Sequence, residues 1–331
     1  MERVLITGAS GFIGAALAER FHKNGYKVRA AFRRPEVPPH LVALGNSGAE
    51  LVRMDLSSAP NLRVLVDSCN IVIHAAAKVS DFGRREEFEA ANTNATARLL
   101  SAALEGGCRS LLYFSSISVH GFGQHLGSTE SGPYYPLQSW YQRTKLLAEI
   151  AVQRANSPSF STIIVRPGLV YGPGDTTTLW PTFELLDKGK LPMLAGFDHI
   201  TCPIYITDLV DAVVAAIELP QPGGAVVNIT SGEQLTLRDA IDYAASLLRR
   251  SVSETAIPMW AARAAAHISE LASRVIGYRF RPPITPYLAS QLSHDFHFSP
   301  AKAKDLLGFE AKVGWKEGIA ASVSHFTKSH R

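Results

Sequence analysis

A doubly wound, parallel α/β sheet followed by a smaller, mostly helical lobe is the fold this sequence predicts, and three observations point to it. Short β-branched runs alternate with longer helical patterns through the first half, as βαβ units require. A glycine-rich turn closes the first run and opens the first helical pattern. Runs such as Ile71-Val72-Ile73 and Thr162-Ile163-Ile164-Val165 are continuously apolar, which marks strands buried on both faces. In order, the predicted strands are Arg3–Thr7, Lys27–Phe32, Glu50–Met54, Ile71–Ala75, Ser110–Ser115 and Thr162–Arg166. Predicted helices lie between them at Phe12–Lys23, Glu86–Leu104 and Gln138–Arg154, with Gly25 and Gly106-Gly107 as stop signals. Beyond Val170 the pattern loosens into Gly/Pro turns, with helical stretches at Asp208–Glu218, Leu237–Arg249 and Met259–Val275. The sheet domain is expected over 1–170 and the second lobe over 171–331, with some segments returning to the sheet.

Composition narrows the function. Apolar residues make up 46% and charged residues 19% of the 331 residues, the balance of a globular chain. A net charge of +4 without any block of like charges gives no footprint for nucleic acid, so a small-molecule partner is expected. Three scattered cysteines, Cys69, Cys108 and Cys202, form neither a CxxC pair nor a cluster with histidines, and neither disulfide nor metal is assigned. The start, Met1-Glu2-Arg3 before a short apolar run, has no signal-peptide pattern, and no stretch reaches the ~18 apolar residues of a spanning helix. A cytoplasmic protein is expected, with any membrane contact peripheral.

The turn after the first strand reads Gly8-Ala9-Ser10-Gly11-Phe12-Ile13-Gly14. Glycines there allow a tight turn and close backbone approach to a pyrophosphate, and the following helix presents free N–H groups and the positive end of its dipole. Placed at the first βα crossover, the loop predicts a Rossmann-type dinucleotide site, and without a Gly-Lys-Ser/Thr sequence it is not a P-loop. The second strand ends Phe32-Arg33-Arg34, where an NAD enzyme commonly places a carboxylate for the ribose hydroxyls. Two guanidinium groups suit a 2′-phosphate instead, so NADP(H) is expected over NAD(H).

Tyr141 and Lys145 stand four residues apart in a helical pattern and so share a face. A phenol has pKa ~10, and a neighbouring ammonium is expected to lower it into useful acid/base range. The pair follows the fifth strand, whose C-terminal end carries Ser115-Ser116-Ile117-Ser118, and ligands of open parallel sheets bind at those ends. Strand alternation puts Ser116 and Ser118 on one face and leaves both as candidates for the hydroxyl beside Tyr141. Asn92, polar within an apolar helical pattern, reads either as a surface amide or as part of a proton relay.

Taken together, Thr7–Gly14, Ser115–Ser118, Tyr141–Lys145 and the run Arg166-Pro167-Gly168-Leu169-Val170-Tyr171-Gly172-Pro173-Gly174 resemble the extended short-chain dehydrogenase/reductase superfamily of NAD-dependent epimerases and dehydratases. The resemblance selects Ser116, five residues before Gly121 of Val119-His120-Gly121, and adds Asn92 to the catalytic set of Ser116, Tyr141 and Lys145. It also implies cofactor contacts at Asp55, Leu56, Ala75, Ala76, Lys78 and Pro167, besides Tyr141 and Lys145. His74–Gly83, Phe114–Gly121 and Pro282–Phe309 look most like the 3β-hydroxysteroid dehydrogenase group, including the decarboxylating sterol-4-carboxylate enzymes. That implies alcohol–ketone interconversion on a bulky apolar substrate, sterol- or lipid-like, with loss of a β-carboxylate as an option. Thr201–Thr207 lacks the arginine that nucleotide-sugar enzymes of the superfamily place before the residue matching Asp208.

Two rivals accompany this reading: a nucleotide-sugar epimerase or dehydratase, and a non-catalytic NADP-binding sensor. A homodimer would follow from the resemblance. The segment Pro258–Phe280 sets Trp260, Ile268, Leu271, Val275 and Ile276 among Arg263, Arg274 and Arg279. It reads as a helix packed on its own lobe, a roof over the substrate pocket, or a surface leaning on a membrane.

Overall fold

The computed structural model describes residues 1–218, 223–253 and 255–329. Residues 219–222, 254, 330 and 331, all within the expected second lobe, lie outside the described residues. A seven-stranded sheet dominates, in the order Ala225–Ile229, Ser161–Pro167, Ser110–Phe114, Ile71–His74, Arg3–Thr7, Lys27–Phe32, Glu50–Arg53, with every neighbouring pair parallel. This is the Rossmann-type doubly wound order with one more strand at the far edge. Chain order reverses between Arg3–Thr7 and Ile71–His74, and that is where a crevice opens at the carboxyl ends.

Both faces of the sheet are covered, which explains its continuously apolar strands. On one face Val4, Ile6, Ile71 and Ile73 pack with Leu17 and Phe21 of helix Phe12–Lys23 and with Leu209 and Val213 of helix Ile206–Glu218. On the other, Leu5, Val72 and Leu111 pack with Leu99 of helix Ala95–Glu105 and Val152 of helix Trp140–Ala155. Each fully buried Leu or Ile contributes about 1.5–3 kcal/mol.

The predicted helix Glu86–Leu104 is not continuous. Helix Arg85–Phe88 runs into a π-helical turn at Glu89–Asn94, and the α-helix resumes at Ala95–Glu105. The wide turn rotates Asn92 inward, where it is buried, so the surface-amide reading is corrected. The strand predicted to reach Ser115 ends at Phe114, and Ile117–His120 form a 3-10 turn, so strand alternation does not govern the serines.

A third core, with Tyr171, Phe183, Ile241, Ile319 and Phe326, holds the helices Leu179–Asp187, Leu237–Leu248 and Trp315–Ser329 together. A short parallel pair, Phe296–Phe298 with His125–Ser128, brings the C-terminal part of the chain beside the loop after the fifth strand.

Candidate active site

The site begins with the first turn. Gly8 has φ +73°, and a Cβ there would lie 2.9 Å from the Cα of Ala76. A Cβ on Gly14 would lie 2.2 Å from the Gly8 carbonyl oxygen. The glycines thus let the first turn seat against the fourth strand's end and let the helix Phe12–Lys23 start directly above it. The leading N–H groups of that helix have no partner within it, and this cradle fits a pyrophosphate.

A cavity of about 550 Å³ runs from this loop across the sheet's carboxyl edge. Every residue assigned to the cofactor from sequence lines it: Gly8, Ser10, Gly11, Phe12, Ile13 and Gly14; Arg33, Arg34, Asp55 and Leu56; Ala75, Ala76 and Lys78; Tyr141, Lys145 and Pro167. Arg33 Nη1 sits 4.0 Å from Asp55 Oδ2. Partial burial raises the Asp55 carboxyl, but hydrogen bonds from the Ser57 hydroxyl and N–H, with the Arg33 charge, hold it below its ordinary value. Lys78 turns its ammonium to Glu87 at 2.7 Å, so its place in the wall is set by its backbone.

Asn92 does not line the cavity. Its Oδ1 accepts from Lys78 N–H at 2.7 Å, and its Nδ2 donates to the Lys78 carbonyl at 3.2 Å and to Thr144 Oγ1 at 3.1 Å. The amide therefore fastens the segment after the fourth strand to the helix that carries Tyr141 and Lys145. Its hydrogen bonds hold that backbone in place.

A second buried chain supports the same edge. Thr96 donates to the Asn92 carbonyl, so its oxygen accepts from His74 Nε2–H at 2.9 Å. His74 Nδ1 then accepts from the Thr7 hydroxyl at 2.8 Å, and Thr7 Oγ1 accepts from Ala76 N–H at 3.2 Å. Burial, with the nearby Lys145 charge, pushes His74 down to about 3, so it is neutral in the fold.

Helix Trp140–Ala155 opens with a capping box in which Ser139 and Gln142 satisfy each other's backbone, placing Tyr141 in its first turn. Lys145 Nζ donates to the Phe114 carbonyl at 2.5 Å and lies 4.8 Å from the centre of the Tyr113 ring. Burial pushes Lys145 down to about 7, against the pull of Glu149 one turn further on. Burial pushes Tyr141 up to about 12, while a hydrogen bond with Ser116 pulls the other way. The expected lowering of the phenol by Lys145 is therefore corrected: burial sets the direction of the shift, and the lysine nitrogen donates to the Phe114 carbonyl. Ser116, at the head of the 3-10 turn, is the serine that meets Tyr141.

Sequence reasoning missed the far wall. Tyr287 and Gln291 of helix Pro286–Gln291, with Phe296, line the cavity, and the rings of Tyr287 and Phe296 pack on Phe122 at 4.7 and 5.2 Å between centroids. A signal was present in Thr285-Pro286, an N-cap followed by proline at the first helical position; Thr285 does accept from Leu288 N–H at 3.1 Å. No described residue of Pro258–Phe280 lines the cavity, so that segment is not its roof.

Comparison with known proteins agrees with this architecture. The model of the NAD dependent epimerase/dehydratase family matches residues 4–230. A 4-hydroxy-2-methyl-3-oxo-4-farnesyl-3,4-dihydroquinoline-1-oxide ketoreductase of Stigmatella aurantiaca is 28% identical over 321 residues, covering 96% of this chain and 95% of the relative. A 3 beta-hydroxysteroid dehydrogenase/Delta 5-->4-isomerase of Mycobacterium tuberculosis is 29% identical over 346 residues, covering 98% and 90%. Among solved structures, a UDP-glucuronic acid 4-epimerase from Bacillus cereus in complex with NAD superposes with a TM-score of 0.79 at 22% identity, over 99% of this chain and 100% of that one. At that identity the likeness is one of fold.

Proposed function

The chain belongs to the NAD dependent epimerase/dehydratase family, the extended short-chain dehydrogenase/reductases, and from that premise we propose that it interconverts a secondary alcohol and a ketone on a bulky, uncharged, apolar substrate, using NADP(H) in preference to NAD(H). One observation carries the reading. Tyr141 and Ser116 open into the same cavity as the glycine loop, and the wall beyond them sets Ile117, Phe122, Cys202, Tyr287 and Phe296 beside the uncharged polar Ser118, Thr201 and Gln291. Among the described lining residues the charged types are Arg33, Arg34 and Asp55 by the second and third strands, Lys78, whose ammonium is paired with Glu87, and Lys145 beside Tyr141. A nucleotide-sugar diphosphate would meet no cation in the far part of the cavity, where desolvating it unpaired is costly. The farnesylated ketone named for one relative and the steroid named for another fit such a wall.

The nicotinamide, when bound, supplies or takes up the hydride. In the reductive direction Tyr141, a neutral phenol at pH 7, donates a proton to the substrate oxygen, and the Ser116 hydroxyl orients that oxygen by a hydrogen bond. Lys145, one turn along the same helix face, would hold the cofactor's ribose, and Arg33 and Arg34 would hold the 2′-phosphate.

The test titrates purified protein with NADPH and NADH and follows nicotinamide absorbance with panels of apolar ketones, 3-oxo acids and UDP-sugars. Net NADPH oxidation with an apolar ketone supports the proposal. Sugar conversion without net cofactor change would move the chain to the epimerases, and cofactor binding without turnover on any panel would make it a sensor.

A further inference from the structure

Helix Met259–Val275 is apolar on two opposite faces, and only one of them is covered. Ala262, Ala266 and Ser273 face inward and are buried against the lobe. On the outer side Trp260, Ile268, Leu271 and Val275 fall on one stripe at helical spacing, between 64% and 78% exposed. Ile276 and Phe280 extend the stripe past the helix end and are also exposed. Large apolar residues gathered so densely on a surface mark an interaction site, whereas scattered ones would not.

The charge around the stripe says what it meets. Across residues 259–281 the chain carries Arg263, Arg274, Arg279 and Arg281 against a single carboxylate, Glu270. Arg274 pairs with Glu270, and Arg281 pairs with Asp81 at 2.7 Å. Two copies of this face brought together would set like charges against each other. An anionic lipid surface would neutralise them while its acyl boundary took up the apolar stripe, with Trp260 at headgroup depth. No described helix is long and apolar enough to cross a membrane, so the contact lies in the plane of the surface.

Position adds a use. The inner face of this helix packs on helix Pro286–Gln291, whose Tyr287 and Gln291 form the cavity wall. Arg84 donates to the Gly277 carbonyl at 3.1 Å, and the tilted rings of Phe82 and Tyr278 lie 5.3 Å apart, so the turn after the helix is tied to the segment that follows Lys78 and Val79 in the cavity lining.

We propose that the exposed face of Met259–Val275, with its flanking arginines, docks the protein on an anionic membrane surface and so presents the cavity to substrates dissolved in lipid. The docking surface stands by itself; delivery of an apolar substrate rests on the function proposed above. The experiment is sedimentation of the purified full chain with vesicles of phosphatidylcholine alone and of phosphatidylcholine mixed with phosphatidylglycerol. Binding to the mixed vesicles is expected, weakening with salt, and the exposed substitution Leu271→Asp is expected to reduce it about tenfold or more. Trp260→Ser should act in the same direction, and the pair Arg274→Gln with Arg279→Gln should remove the preference for the anionic vesicles. No binding to either vesicle overturns the proposal, as does binding unchanged by Leu271→Asp. A concentration-dependent dimer broken by Leu271→Asp without vesicle binding also overturns it and assigns the face to a second copy. Since sedimentation needs no turnover, its failure leaves the reductase reading untouched, and vesicle binding without ketone turnover would keep the surface while the reductase reading fell.

Discussion

Arg166 and Glu149 form a buried ion pair that ties the sixth strand to the helix carrying Tyr141 and Lys145, with Nε–Oε1 at 2.9 Å and Nη2–Oε2 at 2.7 Å. Both side chains are almost wholly excluded from water, 5% and 2% exposed. Glu149 lies one helical turn beyond Lys145 and two beyond Tyr141, so the pair fixes the register of the face that lines the cavity. Arg166 also donates to His120 Nε2 at 2.9 Å, which leaves His120 Nδ1–H to donate to the Pro133 carbonyl.

Breaking that pair from one side strands a buried guanidinium. Glu149→Gln is expected to lower stability by about 3–5 kcal/mol, read from denaturant unfolding. Replacing both partners with apolar residues of similar volume should cost clearly less. Equal losses for the single and the double substitution would show that the pair is not the fastening.

The phosphate turn depends on absent side chains. Gly14→Ala sets a Cβ 2.2 Å from the Gly8 carbonyl oxygen and should cost roughly 1–3 kcal/mol through forced backbone shifts. Affinity for NADPH should fall about tenfold or more by titration, because the cradle widens. Unchanged binding would detach the turn from the cofactor.

In the proposed function, cofactor choice rests on Arg33 and Arg34. Removing a charge-assisted bond to the 2′-phosphate costs about 1.5–3 kcal/mol, so Arg33→Ala or Arg34→Ala should raise the KM for NADPH roughly ten- to a hundredfold and leave that for NADH nearly unchanged. Equal effects on both cofactors would assign the arginines to something other than the 2′-phosphate.

Acid should destabilise this fold through two neutral histidines. His74 and His120 are each lowered from 6.5 to about 3, by burial first and then by Lys145 and Arg166 respectively. Between those values the unfolded chain takes up protons that the fold refuses, so stability falls as pH drops through 6.5 toward 3. Each histidine contributes a slope of about 1.4 kcal/mol per pH unit inside that window. His74→Gln should flatten the curve of unfolding free energy against pH by about that slope, and an unchanged slope would mean that His74 is not held neutral.

How far the sequence could be read follows from how local each signal was. The glycine turn, the six leading strands and the pair Tyr141 and Lys145 are written in spacing over a few residues, and the structure places them as spacing requires. The π turn was illegible because Ala90, Ala91 and Asn92 fit a helix of either width, and the hydrogen bonds between the Asn92 amide and the Lys78 backbone form only once the chain is packed. Tyr287 and Phe296 were missed because a cavity wall supplied from far along the chain leaves no periodic trace beside Tyr141. The phenol's raised pKa was missed for a related reason: burial is a property of the packed site, whereas the Tyr141 to Lys145 spacing shows only the neighbouring charge.

The central claim, that Tyr141 is the proton donor of a ketone reductase, is tested most directly by Tyr141→Phe assayed for NADPH binding and turnover in parallel. The account predicts binding within a few-fold of the parent protein and a kcat for ketone reduction lower by about 10²–10⁴. Full turnover by the phenylalanine protein would contradict it.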